Sequence, residues 1–167
     1  MSGILYENSL FVPEKFNWLD LRKSSNGIGN SMFSSTWCNG APGIGLARLE
    51  CYKLIGNHQL LFDAKQSLEF IYREPFSNID HLCCGNFGRL ETLRIASSIL
   101  GDQTYLQKAR QISGMLIERA RRFEGYQTLE GFPPNVYSLG FFQGLAGIGY
   151  ELLCLANPRL PSVLLSD

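Results

Sequence analysis

Asn39-Gly40-Ala41-Pro42-Gly43 follows Cys38 and opens a phrase that the chain uses twice more, as Cys84-Gly85-Asn86-Phe87-Gly88 and as Gln143-Gly144-Leu145-Ala146-Gly147. Each copy reads residue, Gly, two residues, Gly. The first glycines, Gly40, Gly85 and Gly144, stand 45 and then 59 residues apart, near the spacing of repeat architectures and enough for a helical hairpin each. Apolar residues three and four apart follow every phrase: Ile44, Ala47, Cys51, Leu54 and Ile55, then Leu90, Leu93 and Leu100, then Leu145, Ile148, Leu152 and Leu155. That period predicts an amphipathic helix at each entrance. A second helix per hairpin is expected from Leu61, Ala64, Leu68, Ile71 and Tyr72, and from Tyr105, Ala109, Ile112, Leu116 and Ala120. Pro42 suits a first helical turn, while Gly56-Asn57, Glu74-Pro75 and Gly101-Asp102 punctuate helix ends. The expected fold is all-α, built of helical hairpins over 37–167. Residues 1–36 carry no helical period and read mostly as loop, with Ser24 to Ser31 the loop-forming stretch. Gln127 to Ser138, with Gly131, Pro133 and Pro134, reads as a second long loop, of the kind that carries function.

The chain has 167 residues, 45% of them hydrophobic, which suits one globular domain with a core of its own. Fifteen basic and fifteen acidic residues cancel, so no general field draws the protein to nucleic acid or an acidic membrane. Met1 to Leu10 lack a basic signal-like start, and no apolar run approaches the roughly 18 residues of a membrane span. The expectation is a cytoplasmic protein with no membrane span and no nucleic-acid partner.

Five cysteines stand at 38, 51, 83, 84 and 154. In a reducing compartment they signify burial, metal or catalysis. Cys51 and Cys154 fall within apolar helical patterns and read as small hydrophobes. Cys38 and the Cys83-Cys84 pair come just ahead of glycines that open two successive helices. A helix N-terminus favours the thiolate, which is the form that zinc requires. Three protein ligands with a fourth position open describe a catalytic zinc. The third phrase has Gln143 instead, so the turn itself does not demand cysteine. From the residues alone, three readings stand: a zinc site, buried idle thiols, and a vicinal redox pair. Anion binding is poorly supported, because the glycine phrase lacks a preceding strand.

Trp37-Cys38-Asn39-Gly40-Ala41-Pro42-Gly43-Ile44-Gly45-Leu46-Ala47-Arg48-Leu49, Leu82-Cys83-Cys84-Gly85-Asn86-Phe87-Gly88 and Gly144-Leu145-Ala146-Gly147-Ile148-Gly149-Tyr150 resemble the LanC-like cyclase domain of class II lanthionine synthetases. Asn157 to Leu164 is similar to the end of those enzymes. The resemblance runs roughly from Trp18 onward and implies an incomplete arc of an α/α toroid of nested hairpins. It also implies zinc (Zn2+) as cofactor and a dehydrated precursor peptide as partner, whose cysteine thiol adds to dehydroalanine or dehydrobutyrine to close a thioether ring. The family's ligands in W-C-x-G and C-H-G motifs fall on Cys38, Cys83 and Cys84, with cysteine in the histidine position, as in a C-C-G subset. Three thiolates outweigh the charge of the metal, so a fourth, substrate thiolate would be held less tightly and stay more nucleophilic.

The resemblance also frames the remaining candidates. Asn39 stands where a histidine often follows the first cysteine; it is a candidate hydrogen-bond donor to an enolate, or else simply a turn residue. His81 is a candidate to orient a ligand or shuttle a proton, with a partly exposed loop histidine as the alternative. His58 reads as a surface residue of a hairpin bend. Glu50, Glu91 and Glu151 read as solvated or helix-pairing charges rather than a glycosidase pair. Phe132 and Tyr137 are candidate peptide contacts. The family's upstream hairpins, with a catalytic histidine and aspartate, have no counterpart here. The expectation is therefore a cyclase fragment that works with a complementary chain, or a non-catalytic zinc- or peptide-binding module.

Overall fold

In the computed structural model, which describes residues 2–22, 32–133 and 136–165, each glycine phrase leads directly into a helix. These helices are α2 (Ala41–Ile55), α4 (Asn86–Leu100) and α6 (Leu145–Ala156), and their N-caps are Gly40, Gly85 and Gly144. The glycines are sterically required. A Cβ on Gly43 would stand 1.8 Å from the carbonyl oxygen of Trp37, and one on Gly147 would stand 1.9 Å from that of Phe141. In both phrases the backbone six residues upstream thus folds onto the first helical turn, and only glycine admits it.

The outer helices are α3 (His58–Arg73) and α5 (Gln103–Arg122). Both hairpins turn by the same device. Gly56 and Gly101 end α2 and α4 in the left-handed conformation, at φ 65° and 69°. The next residues, Asn57 and Asp102, cap the following helices by accepting from the backbone N–H of Gln59 and Thr104. The described residues are predominantly helical, and the all-α expectation holds. Two short antiparallel strands, β1 (Phe11–Val12) and β2 (Asn17–Trp18), pair Phe11 with Trp18 and Val12 with Asn17.

The chain divides into two compact units, Met1–Glu74 and Pro75–Asp167. In the first, α2 packs on α3, and β2 also touches α3; Leu46, Leu49, Leu60, Ala64, Leu68 and Trp18 are buried. In the second, α4 packs on α5 and both touch α6; Phe87, Leu90, Leu93, Ala109, Leu116, Ile148 and Leu155 form the core.

Two expectations are corrected. The buried face of α2 is Ala41, Pro42, Gly45, Leu46, Arg48 and Leu49, whereas Leu54 and Ile55 are 73% and 62% exposed. Apolar residues occupy both sides of this helix, so spacing alone selected the wrong stripe. Residues 2–8, read as loop, form helix α1 (Ser2–Asn8), which at two turns is too short to show a period. The loop expected over Ser24 to Ser31 lies outside the described residues. The loop over Gln127 to Ser138 contains no helix or strand among its described residues, with Pro134 outside them.

Candidate metal centre

Cys38 is exposed and sits in a tight turn. The Thr36 hydroxyl lies 3.5 Å from the Cys38 sulfur and donates to the Asn39 carbonyl at 2.7 Å; it accepts from the Asn39 N–H at 3.2 Å. The Asn39 side-chain amide donates to Asp20, which ties down the group proposed for enolate binding. Asp20 is itself buried and accepts from the Ser34 hydroxyl and from Arg22. Burial opposes its ionisation, but the bonds from Arg22 and Ser34 prevail and hold the carboxyl below its ordinary range. Asn17, fully buried, accepts from the N–H of Ala41 at 2.9 Å and donates to the Ser34 carbonyl at 2.8 Å. It therefore caps α2 from outside the helix, where Gly40 has no side chain to do so.

Cys83 and Cys84, both half-buried and not joined in a disulfide, have sulfurs 3.4 Å apart. Their turn is held by backbone bonds from Cys83 N–H to the Phe142 carbonyl at 2.9 Å and from Gly85 N–H to the His81 carbonyl at 3.0 Å. The Cys84 N–H donates to His81 Nδ1 at 3.2 Å. His81 is only 6% exposed, which corrects the exposed-loop alternative. Burial lowers its pKa against a backbone hydrogen bond and the pull of Asp80, and in the neutral ring an Nδ1 that accepts from Cys84 leaves the proton on Nε2. Asp80, 1% exposed, accepts from Arg119, from Asn86 Nδ2 at 3.0 Å and from Gln127 N–H at 2.9 Å. The residues that fix the thiol turn are thus drawn from α4, α5 and the loop after α5.

Among the described residues, Cys38, Cys83 and Cys84 form the one group of three or more His, Cys, Asp or Glu side chains able to hold a metal ion. The donor set fits a thiophilic metal: three sulfurs, no hard oxygen ligand, and one sulfur exposed to an incoming fourth ligand. The other candidates fall elsewhere. His58 is exposed at the start of α3. Cys51 is half-buried and Cys154 is fully buried, with burial and then Glu151 pushing its thiol up to about 11. Glu50 pairs with Lys53. Glu91 and Glu151 are buried, not solvated; Glu91 pairs with Arg94 one turn along, which bears out only the helix-pairing half of that reading. The sequence reading missed Asn17, Asp20 and Asp80, whose partners lie as far as 47 residues away and leave no local signal.

An all-α chain with glycine-entered hairpins and a cluster of thiols fitted to a soft metal defines a narrow class of protein. The family model for lanthionine synthetase C-like proteins matches residues 3–165, and the chain belongs to that family. It is also similar to the Danio rerio protein named glutathione S-transferase LANCL1, with 29% identity over 123 residues, covering 73% of this chain and 28% of that protein. The chain therefore spans little more than a quarter of that relative's length.

Proposed function

We propose that Cys38, Cys83 and Cys84 hold one zinc ion and that the chain is the metal-binding part of a lanthionine-forming cyclase of the C-C-G, class II type. The carrying observation is the group of three thiols in a lanthionine synthetase C-like chain. The reaction is addition of a peptide cysteine thiol to dehydroalanine or dehydrobutyrine. A C–S bond forms at the β-carbon, and the thiol's proton replaces the lost π bond at the α-carbon. Zinc, when bound, supplies Lewis-acid chemistry that favours the deprotonated form of a thiol. Residues of this chain do the positioning. His81 and the Phe142 carbonyl hold the Cys83-Cys84 turn. Thr36 and the Asn39–Asp20 bond hold Cys38, and Asn39 keeps a second amide hydrogen for an enolate oxygen.

The partners in this reading are a dehydrated precursor peptide, contacted also by the exposed Phe132 and Tyr137, and residues beyond these 167, in a longer or a complementary chain. No helix among the described residues is long and apolar enough to cross a membrane, and three reduced thiols suit the cytoplasm. The relative's name favours a second reading in which the thiol belongs to glutathione, itself a cysteine peptide.

The test is zinc content by elemental analysis of the wild type and of Cys38→Ala, Cys83→Ala and Cys84→Ala. About one zinc per chain, lost in each variant, is expected. A folded wild type without zinc refutes the metal centre. A zinc-loaded chain that adds no thiol to a dehydroalanine peptide, even with the rest of the family domain supplied, leaves a non-catalytic binding module. Cys84→His is expected to bind zinc but slow thiol addition, since a neutral ligand replaces a thiolate.

A further inference from the structure

Cys38 also lines a cavity of about 330 Å³ within the first unit. Trp18, Trp37, Ile44 and Ala47 supply its apolar wall, and Glu7 and Arg48 its polar one. At this volume it is at the small end of ligand pockets, with room for one long side chain.

The charges around it do not cancel. Arg48, 4% exposed, stands between two carboxylates, Glu7 at 2.6 Å and Asp63 at 3.3 Å. Asp63 is buried and further occupied by Asn8 and Gln59, at 3.0 and 2.8 Å. Glu7, whose side chain is 45% exposed, is the carboxylate on the cavity wall. One guanidinium between two carboxylates leaves a formal charge of −1, and of the two carboxylates only Glu7 lines the cavity.

The geometry points to this cavity as a subsite for a lysine or arginine side chain of the peptide whose cysteine is brought to Cys38. This rests on the proposed thiol-addition reading. The methylene stem lies along Ile44 and Ala47, and the cation meets Glu7. An apolar side chain of equal length would fill the same space and bring no second cation to Glu7, which would keep only its bond from Arg48. An acidic one would be repelled.

Both tryptophans of the chain line the cavity, so intrinsic fluorescence reports on its occupant. The experiment titrates the zinc-loaded chain with N-acetyl-lysyl-cysteine amide and with its norleucyl and glutamyl analogues. The lysyl peptide is expected to bind about three- to five-fold tighter than the norleucyl one, the glutamyl one weakest, and the difference to shrink at high salt. Glu7→Gln abolishes the lysine preference while Arg48 keeps Asp63, and Ala47→Phe, at an exposed helix position, blocks the response to all three. Equal affinity for lysyl and norleucyl peptides overturns the subsite, as does a preference that survives Glu7→Gln. Repeating the series with serine in place of cysteine separates the two readings. If the metal reading fails, cysteine peptides bind no tighter than serine peptides, while the lysine preference stands.

Discussion

Glu151 shares one cation with Glu91, and all three groups are buried: Glu91 and Glu151 are 1% exposed and Arg94 3%. Arg94 gives two hydrogen bonds to Glu91, at 2.5 and 2.7 Å, and two more to the carbonyls of Pro158 and Leu160, at 3.0 and 3.2 Å. That leaves Glu151 as the surplus carboxyl. Burial first, then repulsion from Glu91, raise its pKa well above the ordinary value despite Arg94. The folded chain therefore binds a proton that the unfolded chain releases, so stability falls as pH rises from the ordinary carboxyl range toward the raised value. Glu151→Gln removes this dependence. Chemical denaturation of wild type and variant from about pH 5 to about pH 8 should show the wild type losing stability with a steeper slope, by at most about 1.4 kcal/mol per pH unit. Identical slopes would show that the site carries no such proton. The glutamate's type and its place on a helix were readable in the sequence, but its surplus charge was not, because that depends on packing between α4, α5 and α6. The thiols were legible for the opposite reason: Cys38, Cys83 and Cys84 stand in local phrases whose turns the sequence spells out.

Elements obey the same division between local and distant causes. Helix starts and stops were legible because each is set by neighbours: a glycine end followed by an Asn57 or Asp102 cap needs only four or five residues. The buried stripe of α2 was not, because apolar residues lie on both sides and only the position of α3 decides between them. The glycines divide sharply. Gly114, in the middle of α5, is exposed, and a Cβ added there would meet nothing within 4 Å. Gly114→Ala is expected to stabilise the chain by about 0.5–1 kcal/mol, through reduced freedom of the unfolded state and better helix propensity. Gly43→Ala drives a methyl to 1.8 Å from the Trp37 carbonyl oxygen and is expected to cost about 2–4 kcal/mol. Urea denaturation midpoints of the two variants should move in opposite directions. A neutral Gly43→Ala would mean that the phrase relaxes freely and that its glycines serve no steric purpose.

At the scale of the whole molecule, the proposed zinc joins thiols that stand 45 and 46 positions apart in the sequence, Cys38 and the pair Cys83 and Cys84. A ligand that the folded chain binds and the unfolded chain does not adds stability by mass action, about 2.7 kcal/mol at 100 times its dissociation constant. Calorimetry of the zinc-loaded chain should therefore show unfolding at a higher temperature than after chelation. Cys38→Ser gives the control, since it removes one of the three proposed ligands while leaving the Cys83-Cys84 turn intact; its melting should ignore both zinc and chelator. If the wild type behaves like Cys38→Ser, zinc is not held by the three thiols together, and Cys83 and Cys84 must be read as a pair apart from Cys38.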